Sequence, residues 1–220
     1  MPVPDNVIFG PDDLGAPITY GLVRKLPEDG KFRALQRRID TYFVRQVDEL
    51  GKTDEGTTKV YSPFPLFLMS CIGIETLGKA FFSRERQRNE QQEDIQREGF
   101  LEITKRLDQA FSRHLNKKQK AEYDELWGAN SHKSLSSTGH ILYRLGRHTM
   151  VHGYQGRGVF LSVNMDKWEL QNGAMVINPY WLWTSFKTVN NSLWKQTYSN
   201  TEPTNPFKRS IRLYLSELLE

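Results

Sequence analysis

One stretch of the chain is too uniformly apolar to lie on a surface. After Ser62-Pro-Phe-Pro come Leu66, Phe67, Met69, Cys71, Ile72, Ile74, Leu77 and Phe81. The spacing predicts a helix, with Pro63 and Pro65 tolerated in its first turn. Because it is apolar nearly all round, it belongs at the centre of a fold with the other elements packed on it. Glu75 is its only charge before Lys79. A carboxylate there is costly unless paired. It is either an exposed turn of a buried helix or the partner of a buried cation, with Arg147 and His152 as candidates.

The remaining periodicity is mostly helical. Phe32, Leu35, Ile39, Tyr42, Phe43 and Val47 predict a helix over 31–50, stopped by Gly51. Residues 51–61 form a polar loop, and 83–98 a charged helix extension or loop. Phe100, Ile103, Leu107, Ala110 and Phe111 mark a helix over 100–115, a short polar helix follows, and a further long helix runs over 135–152 to Gly153. Helices from Pro179 and over 207–219 close the chain. Between them the composition turns strand-like, with an Asn172-Gly173 turn signal. The expectation is a mainly α fold: residues 1–30, rich in Pro, Gly and Asp, as an irregular arm, and 31–220 as one helical domain with a late β-hairpin near 158–178, or a short three-stranded sheet there.

The 220 residues suffice for one good core. Thirty basic against 26 acidic residues give a net charge of only +4, a weak bias toward an anionic partner. The lone cysteine, Cys71, excludes an internal disulfide and any multi-cysteine metal site. No basic-then-apolar leader pattern is visible, and the apolar run 64–74 is too short to span a bilayer. The expected protein is cytoplasmic, with no membrane partner.

Chemistry concentrates in Tyr143-Arg-Leu-Gly-Arg147-His148-Thr-Met-Val-His152-Gly153-Tyr154. Projected on a helix, Leu142, Leu145, Gly146, Thr149 and Met150 share one arc, while His140, Arg144, Arg147, His148, Val151 and His152 share the other. A face with three histidines, two arginines and no acid repels itself, so it needs an anionic ligand or acidic partners elsewhere. His152 can move a proton near neutral pH, and Arg147 presents a planar fork to phosphate oxygens. The bland reading is a solvated basic face, with His152 a structural histidine at a helix C-terminus and Arg147 paired with Glu75. His148 and His152 have the spacing of a metal pair, yet no Glu lies between them and no third acid is identifiable, so no metal and no cofactor are expected. Gly153-Tyr-Gln-Gly156-Arg-Gly158 follows a helix and enters a strand, the reverse of a dinucleotide-binding loop. Trp168, Trp181, Trp183 and Trp194 suit a core or a dimer interface better than a base-stacking platform.

Arg147-His148-Thr-Met-Val-His152 resembles the R-X4-H motif of HEPN domains, including a polar residue after the arginine. Extension to Tyr154 is similar to the toxins of HEPN–nucleotidyltransferase pairs, and the early apolar helix carrying Glu75 is similar too. The resemblance implies an antiparallel HEPN-like bundle acting as a homodimeric, metal-independent endoribonuclease of a stress, defence or toxin–antitoxin system. Its partners would be RNA and an antitoxin or nucleotidyltransferase. Arg147 and His152 would then be catalytic, with His148 holding the phosphate and Glu75, Arg144, His140 and Tyr154 supporting; a nucleotidylylated Tyr154 competes with a packing aromatic. The same cationic face could instead belong to an inactive module that binds RNA, a nucleotide or a protein. Residues 147 and 152 lie roughly 140° apart on an ideal helix, so they meet only by reach, by distortion or across a dimer.

Overall fold

The structure, a computed structural model, describes residues 3–50, 63–85, 91–127, 136–144, 158–200, 202 and 204–220. The described chain is mainly helical with small sheets, as the periodicity implies. Two compact units form: Met1–Tyr61 with Ala80–Glu85 and Leu193–Glu220, and Ser62–Lys79 with Arg86–Ser192.

In the first unit, residues expected to be an irregular arm are ordered. Strands β1 (Ile8–Pro11) and β2 (Pro17–Thr19) pair antiparallel. Asp12 builds their turn, its Oδ1 accepting from the backbone N–H of Leu14 and of Ala16, both at 2.8 Å. Gly15 supplies the left-handed residue at φ 85°. Thr19 then caps α1 (Tyr20–Lys25), accepting from Leu22 N at 3.4 Å. Helix α2 (Glu28–Ile39) continues through a π-helical stretch (Asp40–Arg45) into α3 (Gln46–Leu50), so the helix expected over 31–50 is present with one widened segment. Arg38 fastens α2 to the hairpin, donating to Phe9 O and lying 4.8 Å above the Phe9 ring. Phe81 meets Trp194 edge-on at 4.8 Å.

In the second unit, α4 (Pro63–Phe82, to Lys79 here) and α5 (Gln92–Leu107) touch backbone to backbone. A β-carbon at Gly78 would lie 2.6 Å from the carbonyl carbon of Gly99, and one at Gly99 would lie 2.7 Å from Gly78 O. The expected helix over 100–115 instead starts at Gln92, with Glu93 and Asp94 in its first turn and Lys105 and Arg106 in its last, as the helix dipole favours. It stops at Asp108, whose extended backbone and side-chain bond to Ala110 N, 2.9 Å, start a 3-10 turn (Gln109–Ser112). Helix α6 (Lys117–Trp127) and α7 (Thr138–Ile141) follow, α7 falling within the helix expected over 135–152, of which 135 and 145–152 lie outside the described residues.

The strands form a three-stranded sheet. β4 (Trp168–Gln171) and β5 (Ala174–Ile177) pair antiparallel through Asn172 and Gly173, whose φ values of 47° and 73° are those of a primed hairpin turn. β3 (Val159–Leu161) pairs parallel with β5, which makes β5 the central strand. Trp168 stacks on Phe111 at 4.7 Å, and Trp181 lies 6.2 Å from the same ring. Helix α8 (Pro179–Ser199) carries Trp183 and Trp194, both buried, and α9 (Pro206–Leu219) ends the chain. By length and composition α4 could cross a bilayer, a point the run 64–74 alone did not reveal; 61% of its most apolar window is buried in the protein.

Alanine in place of a helical glycine ordinarily stabilises by up to about 1 kcal/mol. At Gly78 or Gly99 it drives a methyl into backbone, so Gly78→Ala is expected to destabilise by about 3 kcal/mol. Urea unfolding checks the reversed sign.

Candidate functional site

The described part of the cationic face is held by three adjoining segments of the second unit. Residues 113–115 run beside 136–138: Leu115 N donates to Ser136 O at 3.1 Å, and Thr138 N to Arg113 O at 3.2 Å. Ser137 is the N-cap of α7, accepting from His140 N at 3.4 Å. Helix α7 lies against α5, because Gly139 leaves room for Thr104 Oγ1 and Leu101 Cδ2; a β-carbon there would sit 3.0 and 3.1 Å from them. Tyr143 packs edge-on against Phe100 at 5.1 Å.

His140 sits at the centre of this arrangement. The hydroxyls of Ser136 and Ser137 lie 3.0 and 2.9 Å from its Nδ1. With one of these hydroxyls donating to Nδ1, the proton of the neutral ring sits on Nε2. Burial pushes the His140 pKa down to about 4, and the nearby charges of Arg97, Arg144 and His114 push in the same direction. Arg97 also pairs with Asp94 at 2.8 Å, one turn back on α5. His114 Nδ1 lies 3.2 Å from Ser136 O. A carbonyl only accepts, so Nδ1 carries the proton.

Two of the predicted residues, His140 and Arg144, therefore share one cluster, joined by Arg97, His114 and Ser136, which the sequence did not single out. Glu75, only 12% exposed, forms an ion pair with Lys79 at 2.9 Å. Arg147, His148, His152 and Tyr154 lie outside the described residues. Among the described residues, no group of three or more His, Cys, Asp or Glu is placed to hold a metal. A cleft of about 690 Å³ opens in the first unit, but Asp13, Asp29 and Asp40 offset Arg33, Arg37 and Lys208 along its walls. It lacks the excess of positive charge that a polyanion needs. The His140 cluster has three basic neighbours around a ring that stays neutral, and it leads in sequence into the R-X4-H segment. Comparison with protein-family models, curated proteins and solved structures finds no match to this chain.

A histidine whose folded pKa is depressed binds fewer protons folded than unfolded between about 4 and the unfolded value of about 6.5. Its contribution to stability is full above that window and is lost as pH falls through it. The acid limb of stability against pH is expected to flatten in His140→Gln, as chemical unfolding at pH 4 to 7 would show.

Proposed function

We propose that the chain is a metal-independent endoribonuclease of the HEPN type, working as a cytoplasmic homodimer in a stress, defence or toxin–antitoxin setting. The observation that supports it is the gathering of Arg97, Arg144 and His114 around His140, with His140 and Arg144 directly before Arg147 and His152 in sequence. Phosphate oxygens are the natural counter-charge to guanidinium groups.

The chemistry needs no group beyond the protein and the RNA. His152 takes the proton from the ribose 2′-OH, and the 2′-oxygen attacks phosphorus. Arg147 stabilises the charge on the phosphorane oxygens, and His148 holds the phosphate. The bond from phosphorus to the 5′-oxygen breaks, and His152 of the partner subunit protonates the leaving oxygen. The products are a 2′,3′-cyclic phosphate and a 5′-OH. Arg97, Arg144 and His114 bind flanking phosphates. Tyr154 is the position that a nucleotidyltransferase antitoxin would modify.

A second reading has its own support. Among the described residues the cluster offers guanidinium groups and a neutral imidazole, a set suited to binding an anion. On that reading the chain is an inactive module that holds RNA through the same face.

RNA cleavage in excess EDTA separates the two. The nuclease reading expects cyclic-phosphate ends and a loss of about 10²- to 10⁴-fold in His152→Ala, with RNA binding retained. Binding without cleavage across tRNA, mRNA and ribosomal RNA favours the module. Under either reading, Arg97→Ala is expected to weaken RNA binding about tenfold and to lower the salt slope by about one, read by fluorescence anisotropy at several salt concentrations.

A further inference from the structure

The balance of charge that unfits the 690 Å³ cleft of the first unit for a polyanion suits a ligand carrying both signs. Three parts of the chain that lie far apart in sequence line it. Asp29, Arg33, Gln36 and Arg37 recur at helical spacing on α2, Tyr198 comes from α8, and Lys208 from α9.

One cation is already engaged. Arg37 pairs with Asp13 and donates to Pro11 O at 3.3 Å, which ties the β1–β2 turn to α2. Asp29 and Arg33 differ. They stand one turn apart, in the order that favours an ion pair along a helix. Yet among the described residues neither side chain forms an ion pair or a hydrogen bond. Lys208 has no ion pair among the described residues either, and Glu28, the acid its field reaches, is held by two bonds from Arg212.

Tyr198 marks where these charges meet. Burial pushes its pKa up to about 12; Arg33 and Arg37 oppose the rise, and Asp29 and Asp40 add to it. The hydroxyl therefore stays protonated and can donate, while both signs of charge act on it. The ring, 37% exposed, stacks on Trp194 at 6.0 Å and gives the cleft an aromatic wall.

This arrangement selects by charge pairing. A lone anion at Arg33 also meets Asp29, and a lone cation at Asp29 also meets Arg33, so each gains little. A ligand with both charges gains at both ends. Residues four apart on a helix hold their β-carbons about 5–6 Å apart, and an extended dipeptide separates its ammonium from its carboxylate by about 6 Å. A single amino acid carries both groups on one carbon.

We infer that the cleft binds a small zwitterion of dipeptide size, its carboxylate on Arg33 and Lys208, its ammonium on Asp29, and its body against the Tyr198 ring. The site is independent of the proposed nuclease chemistry.

Titration of the full chain with alanyl-alanine, followed by NMR, tests it. The controls are N-acetyl-alanyl-alanine, which lacks the ammonium, alanyl-alanine amide, which lacks the carboxylate, and free alanine. The dipeptide is expected to saturate with shifts at Arg33 and Tyr198, and each control to bind at least about tenfold more weakly. In Arg33→Gln the dipeptide should lose its advantage over the amide, and in Asp29→Asn its advantage over the acetyl form. Both positions are exposed, so both variants should melt near the wild-type temperature, and each comparison is internal to one variant. Failure of the dipeptide to saturate, a control that binds as tightly, or a variant that keeps the full wild-type preference would each overturn the proposal.

Discussion

The second unit depends on how closely other elements approach α5. At Gly78 and Gly99 no side chain separates α4 from α5, and the two backbones pack directly. At Gly139 the missing β-carbon lets α7 rest on Thr104 and Leu101. Phe100 extends the same surface to Tyr143. Each contact is short-range and steric, so each fixes position to a fraction of an ångström. Together they set Arg97, on α5, His140, on α7, and Arg144, just after α7, within electrostatic reach of one another.

That placement is electrostatically expensive. Basic side chains in one neighbourhood oppose each other's charge, and the protein meets the cost in two ways. Asp94 neutralises part of Arg97 through a 2.8 Å ion pair, and His140, held neutral first by its burial and then by these charges, adds none of its own. A serine hydroxyl, from Ser136 or Ser137, satisfies the neutral ring at Nδ1, so the half-buried ring has no unmet polar atom there. A bound phosphate would reverse the balance: it supplies the missing negative charge, and the imidazole regains a reason to be protonated. On the proposed function, that anion is an RNA phosphate.

Much of the scaffold is legible in the sequence. The apolar run from Leu66 to Phe81 gives the buried helix, and Asn172-Gly173 gives the β4–β5 turn, because both signals are local. The signals that failed are those decided elsewhere in the chain. Charged residues 92–98 resemble a solvated loop, yet Ile95, Gly99, Phe100 and Ile103 bury one stripe of a helix that starts at Gln92. The hairpin at 8–19 is short and proline-bearing, and the side chain of Asp12 builds its turn. The parallel partnership of β3 with β5 is a non-local pairing that no alternation reveals. In the site, His140 and Arg144 were visible as a cationic face. Arg97 and His114 were not, since each comes from a different segment and reaches the cluster only through the Gly139 contact and the Leu115–Ser136 bond. Glu75 was read as needing a partner, and Lys79, one turn along its own helix, is one.

The central proposal is that this cluster holds a phosphate anion. Its most direct measurement is the titration of the His140 imidazole by NMR, with and without a short uncleavable RNA carrying 2′-O-methyl riboses. The account predicts a free pKa near 4 that rises by a unit or more when the RNA is bound. An RNA that binds while the His140 titration stays unmoved would contradict it.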